Sequence, residues 1–151
     1  MKTYIIDGNN LIGKTKHLML LQNKDKQSSR EQLVFMIDNY FHNKNQDVYI
    51  HLDGFKSTAI NPSKSRLIYS NSKTADETIK RQIEQTVNKK NIVVVTSDNN
   101  LREFAKVCRS DVMLSEEFLK LIESGNQNDD EAKRINEMNN NDEFKKLFGA
   151  D

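Results

Sequence analysis

Three aspartates carry the chemistry that this sequence offers. Asp7 closes the short apolar run Thr3 to Ile6, and Asp98 lies just past Ile92 to Val95. Asp76 falls in the first turn of the segment opened by Thr74-Ala75-Asp76-Glu77. In an open parallel sheet, ligands bind outside the carboxyl ends of the strands, and all three residues map to that edge. One such Asp is often only a helix N-cap. Three together repel one another and cost stability unless a cation neutralises them. Oxygen ligands without His or Cys select Mg²⁺ or Mn²⁺, and such an ion both activates a water and clamps a phosphodiester oxygen. Asp53 also ends an apolar run, but Asp53-Gly54-Phe55 reads as a turn.

Other chemistries find less support. There is no G-x-G-x-x-G, although the letters of G-x-x-x-x-G-K-[ST] do occur, as Gly8 to Thr15. An aspartyl-phosphate phosphatase would need a second Asp two residues after the first, where Asn9 stands. His17, His42 and His51 show no ligand spacing; His42 reads as a helix-end residue and His51 as a strand residue. The single cysteine, Cys108, excludes an internal disulfide and a Cys-rich zinc site, and its place on an inner helix face predicts a packing role.

The elements that must position these residues alternate between strand and helix. Thr3 to Ile6, Val48 to Leu52, Arg66 to Tyr69, Ile92 to Val95 and Val112 to Leu114 read as strands. Ile92 to Val95 does not alternate, which marks a strand buried on both faces. Ser28 and Ser29 precede a helical face of Leu33, Val34, Met36, Ile37, Tyr40 and Phe41. Thr74 and Glu77 form an S/T-x-x-E capping box before the stripe Ala75, Ile79, Ile83, Val87. Ser97 or Asp98 caps a helix with Leu101, Phe104, Ala105 and Cys108 inside, and Ser115 opens one through Phe118, Leu119 and Ile122. Parallel βαβ units follow, and with them an α/β fold: a three-layer α/β/α sandwich on a mainly parallel central sheet.

At 151 residues the chain fits one domain, placed at 1–124, followed by a polar linker and a short amphipathic segment over 125–151. No apolar run approaches the ~20 residues of a membrane span. The start MKTYIIDGNN reaches Asp7 before a signal-peptide core could form, so the expected compartment is the cytoplasm. The net charge of +1 hides an asymmetry: 125–151 holds seven acidic side chains against four basic, and 56–90 holds eight basic against three acidic. That basic stretch is either a solvated surface or a footprint for a polyanion.

The blocks YIIDGNNLIG, HLDGF, YSNSKTADETIKRQIEQ, VVVTSDNN-LREFAK and MLSEEF resemble, in order, the YacP-type NYN domains of the PIN-like nuclease superfamily. The resemblance spans roughly residues 3–122. It implies a PIN-like fold and metal-dependent endoribonuclease activity, with Asp7, Asp76 and Asp98 holding one or two Mg²⁺ or Mn²⁺ ions. Asn10 matches the Asn after the family's Asp-Gly, and Ser97 the Ser of its Thr-Ser-Asp; both would orient a carboxylate or the scissile phosphate. That the substrate is RNA rather than DNA is implied by the resemblance alone. Lys14, Lys16, Arg66, Lys73 and Lys80 are the candidate backbone contacts. The chain departs from the family's pattern twice. Lys80 stands where these domains often have Glu, and Arg109-Ser110 where they tend to have Gly-Ala.

The expected partner is RNA, in solution or in a ribosome context, with no membrane. A homodimer and a protein partner for the C-terminal segment stay open. Two rival functions remain at this stage: an RNA- or ribosome-binding module with little catalysis, and a metal-dependent phosphatase of small substrates.

Overall fold

The computed structural model describes residues 1–124. Five parallel strands, β1 (Thr3–Asp7), β2 (Asp47–Leu52), β3 (Arg66–Tyr69), β4 (Ile92–Val95) and β5 (Asp111–Met113), form one sheet in the order β3-β2-β1-β4-β5. Between β1 and β2 lie α1 (Gly8–Gly13), α2 (Lys16–Lys24) and α3 (Lys26–Phe41). Because α1 is helical from Gly8 to Gly13, the G-x-x-x-x-G-K-[ST] letters of Gly8 to Thr15 do not form a phosphate-cradling loop. Helix α4 (Ala75–Gln85) and a 3-10 turn join β3 to β4, α5 (Asn99–Val107) joins β4 to β5, and α6 covers 115–124.

Alternation along the strands divides the core in two. Ile6, Ile50, Val93 and Val95 pack with Leu33, Ile37 and Phe41 of α3 and Phe118 of α6. The rings of Phe41 and Phe118 stack at 6.1 Å. On the other face Ile5, Ile92 and Val94 meet Ile79 and Ile83 of α4 and Leu101 and Ala105 of α5. Helices on both faces make the expected three-layer α/β/α sandwich. The β2–β3 connection has no helix and is held by side chains instead. Buried Asp38 accepts from the backbone N–H of Ser63 and of Ser65, each at 2.8 Å. Among the described residues, no helix is long and apolar enough to cross a membrane.

Several expectations need correcting. The stripe of α4 stops at Ile83: the helix ends at Gln85, Thr86 turns extended, and Val87 is 99% exposed. Helix α3 starts at Lys26, before Ser28 and Ser29, because Asp25 accepts from Gln27 N at 3.1 Å and caps it. Helices α1 and α2 carry too few buried apolar residues for a periodic signal; α2 buries only Leu18 and leaves Met19 and Leu20 exposed. Strand β5 begins one residue earlier than expected and excludes Leu114. The linker and amphipathic segment expected over 125–151 lie outside the described residues.

The turn after α5 explains one departure from the family's pattern. Ser110 N donates to Ala105 O and Arg109 N to Lys106 O, both at 2.9 Å, which is a Schellman ending with Arg109 at the left-handed position. Its φ is +68°, a conformation that favours glycine. Arg109→Gly is therefore expected to stabilise the fold by about 0.5–1 kcal/mol, the relieved strain exceeding the added chain entropy. Urea denaturation of both proteins checks it, and an unchanged or lower midpoint would refute the strain.

Candidate active site

The chain runs outward from β1 to β2 and β3 on one side and from β4 to β5 on the other, so β1 and β4 meet at the switch point of the sheet. The crevice above such a point is where open α/β sheets hold ligands. Asp7, the last residue of β1, falls by alternation on the α4/α5 face and is 8% exposed. Its Oδ2 accepts from Thr96 Oγ1 at 3.0 Å, and it also accepts from the backbone N–H of Asn10. Burial nonetheless pushes its pKa up to about 6, with the charges of Asp53 and Asp98 adding to the rise.

Thr96 couples two of the aspartates. The hydroxyl that donates to Asp7 accepts from Asp98 N at 3.1 Å, and Asp98 Oδ1 caps α5 by accepting from Leu101 N at 2.9 Å. Asp76 arrives with α4, whose capping box Thr74–Glu77 forms as expected. Its Oδ2 lies 3.2 Å from Lys80 Nζ, and that ammonium also sits 5.5 Å from the centre of the Phe104 ring. Lys80 thus pairs with Asp76, rather than with Glu84 or solvent.

A fourth carboxylate joins them. Asp53 is at the turn expected for it, with Gly54 at φ +87°, yet its Oδ1 accepts from Ala75 N at 2.7 Å, at the start of α4. Asp53 N donates to Asn9 Oδ1, also at 2.7 Å. Asp7, Asp53, Asp76 and Asp98 line one open cleft of about 590 Å³, with Asn9, Asn10 and Lys73 on its wall. The missed signal was positional: Asp53 ends a strand at the same edge as Asp7. Thr96, directly after the apolar run of β4, was passed over as well.

The remaining expected residues divide. Asn10 lines the cleft, while its Oδ1 accepts from Ser97 N at 3.0 Å and Ser115 Oγ at 2.7 Å. Ser97 Oγ donates to Glu116 in a short hydrogen bond and accepts from Ser115 N, so Ser97 ties β4 to α6 instead of facing the cleft. Glu116 is held below the usual carboxylate range by that hydroxyl, by its own backbone N–H and by Lys14, whose Nζ lies 3.7 Å away. Lys16 is exposed at the start of α2. Arg66 stands at the first position of β3, remote from the carboxyl edge, with its guanidinium 5.8 Å from the Tyr49 ring centre. It takes no part in the cleft.

The histidines and the cysteine sit as expected: His42 just past α3, buried His51 on β2, and Cys108 against the second core. His51 Nδ1 is 2.8 Å from Thr78 Oγ1 and Nε2 is 2.6 Å from Gln82 Oε1, which ties β2 to α4, and burial lowers its pKa.

Among the described residues, no three acidic, imidazole or thiol groups converge as a ready cation cage. The donor chemistry still fits one hard divalent ion, since four carboxylates and no nitrogen or sulfur ligand border the cleft. Asp53 and Asp98 each spend one oxygen on a helix amide and Asp76 spends one on Lys80, leaving the other oxygen of each outside these contacts.

The fold has close counterparts. A crystal structure of a point mutant of Rae1 (YacP) from Bacillus subtilis superimposes with a TM-score of 0.76 at 20% identity, covering 92% of this chain and 86% of that one. A second crystal structure of Rae1 (YacP) from the same organism gives 0.75 at 21% identity, over 89% and 80%. No curated protein matches the sequence. The YacP-like NYN domain model matches residues 4–148. With nearly its whole length matched, the chain belongs to the YacP-like NYN domain family, whose domains are nuclease-like.

Proposed function

We propose that this domain is a metal-dependent endoribonuclease that hydrolyses RNA phosphodiester bonds. The observation that carries the reading is Asp7, a carboxylate buried at the switch point and raised to a pKa of about 6 among other aspartates. A charge kept there at such a cost is what a cation-binding site requires. Asp7 and Asp98 would hold Mg²⁺ or Mn²⁺, with Asp53 or Asp76 completing the set. A bound ion would supply an acidified water and offset phosphate charge, and hydrolysis would leave 5′-phosphate and 3′-hydroxyl ends. Thr96 keeps the Asp7 and Asp98 segments in register by bonding to both. Lys73 on the wall of the cleft offers an ammonium to the RNA backbone, as Lys16 does from α2.

One observation favours a second reading, an RNA- or ribosome-binding module without cleavage. The Lys80–Asp76 pair neutralises one of the four carboxylates from within. Purified protein incubated with labelled RNA, with Mn²⁺ and with EDTA, separates the two. Internal cuts that need metal support the nuclease, and binding without cuts supports the module. Release of terminal phosphate alone would point to a phosphatase and defeat both.

Lys80 supplies its own prediction. Lys80→Glu replaces a cation 3.2 Å from Asp76 with an anion. At the screened distances of a half-exposed site this is worth about 1–2 kcal/mol, so affinity for Mn²⁺ should rise roughly tenfold. RNA binding at low metal should weaken. Mn²⁺ titration followed by electron paramagnetic resonance reads the first effect without relying on activity. Superimposable titrations would show that Lys80 leaves the metal site untouched.

A further inference from the structure

Phe55 is 64% exposed, although it sits in one of the most firmly tied turns of the molecule. Asp53 N donates to Asn9 Oδ1, and Gly54 N donates to Ser70 Oγ at 2.9 Å. Gly54 O accepts from Asn71 N at 2.8 Å. Arg30, itself 2% exposed, donates to Asp53 O through one terminal nitrogen and to Phe55 O at 2.9 Å through the other. Every peptide donor and acceptor from Asp53 N to Gly54 O therefore has a partner, and so does Phe55 O. An aromatic ring on a loose loop needs no explanation. A ring held out to water by a buried arginine is placed there.

The position is next to the site. Asp53 and Gly54, the two residues before Phe55, line the aspartate cleft, together with Asn71 and Lys73 from the facing turn. Among the described residues, the other large exposed apolar side chains, such as Phe35, Val87 and Val107, have no such neighbours. The surroundings are cationic. Lys26 Nζ comes within 3.6 Å of the point where a Gly54 Cβ would stand, Lys56 follows in sequence, and Lys73 borders the cleft.

A rigid ring among ammonium groups beside an acidic phosphodiester site has the chemistry of a single-strand platform. Unpaired bases stack on aromatic faces while lysines follow the phosphates. We infer that Phe55 stacks on an unpaired base of the RNA strand next to the scissile phosphate, so that this domain takes single-stranded RNA and not a duplex. The inference rests on the RNA-cleaving reading above. The charge pattern argues against an apolar protein partner, for which flanking lysines would be a desolvation cost.

The chain contains no tryptophan, so Phe55→Trp places a lone indole at the proposed contact. In EDTA, to prevent cleavage, its emission should be quenched by an unstructured oligoribonucleotide. Half-quenching should fall at the dissociation constant given by fluorescence anisotropy. Phe55→Ala should weaken that binding roughly 5- to 100-fold, and Phe55→Tyr should restore most of it. A blunt duplex of the same sequence should bind more weakly and leave the emission unchanged. If RNA binds the wild type while Phe55→Ala binds equally well and the indole is not quenched, Phe55 lies off the RNA path. The proposal then falls and the nuclease reading stands. If the wild type binds no RNA at all, both fall. An emission change with protein concentration and no RNA would assign Phe55 to a contact between two copies and overturn the proposal.

Discussion

Asp7→Asn is expected to reduce RNA cleavage roughly 10²- to 10⁴-fold and, above pH 6, to make the protein more stable than the wild type. The two effects share one cause. The Asp7 carboxyl has a pKa of about 6 in the folded protein against an ordinary 3.8, so the folded state holds a proton that the unfolded state has released. Stability is fully present below the ordinary pKa and is lost as pH rises from about 4 through 6. At 1.36 kcal/mol per unit the loss reaches at most about 3 kcal/mol. Asn carries no charge and still accepts from Thr96, so it escapes that loss. The difference in melting temperature between variant and wild type should be small near pH 4, grow through pH 6 and then level off. Mn²⁺ should raise the melting temperature of the wild type above pH 6 and affect the variant much less. A difference independent of pH would mean that Asp7 is not destabilised by its surroundings. Cleavage at the wild-type rate would remove Asp7 from the site.

Gly8→Ala is expected to destabilise the protein by about 2–3 kcal/mol and to lower its melting temperature by about 5–10 °C. A Cβ there would stand 2.8 Å from His51 O and 2.9 Å from Leu52 Cδ2, with Ile50 Cγ2 at 3.2 Å. The leucine methyl can turn away, but the carbonyl belongs to the β2 backbone and cannot. Helix α1 must leave β1 hard against β2, and only a hydrogen allows the approach. The effect should reach activity too, because Asp7 is the preceding residue. Gly13→Ala is the control: nothing lies within 4 Å of its Cβ position, so alanine's better helix propensity should leave stability unchanged or slightly higher. Equal melting temperatures for the two variants would contradict the close approach.

How much of this was legible depended on where each residue drew its cause. Ile92 to Val95, the Thr74 capping box and the strand-end positions of Asp7 and Asp98 are local patterns, and each sits where its pattern indicated. Val87 continued the spacing of its stripe but not the helix, because spacing repeats without regard to where the backbone turns extended. Asp53 was taken for a turn residue, and it is one; its second role depends on Ala75 N, which only the packing of α4 brings near. Arg66 looked like a phosphate contact in a basic stretch, but a charge count does not distinguish the two ends of a strand. Lys80 and Asp76 stand four residues apart on α4, a spacing that puts them on one face, and the ion pair between them agrees.

The central position of β1 has a bearing on synthesis. Of the five described strands it is made first, yet one of its neighbours, β4, is made after β2 and β3. A growing chain can pair β1 with β2 and β2 with β3 while the opposite edge of β1 waits for residues 92–95. Until Thr96 and Asp98 follow, Asp7 lacks its hydroxyl donor and the cleft lacks a wall. A nascent chain on the ribosome, surrounded by RNA, thus carries most of the sequence but not the site. Whatever this cleft does to a polynucleotide is deferred until the second half of the domain has emerged and closed onto the first.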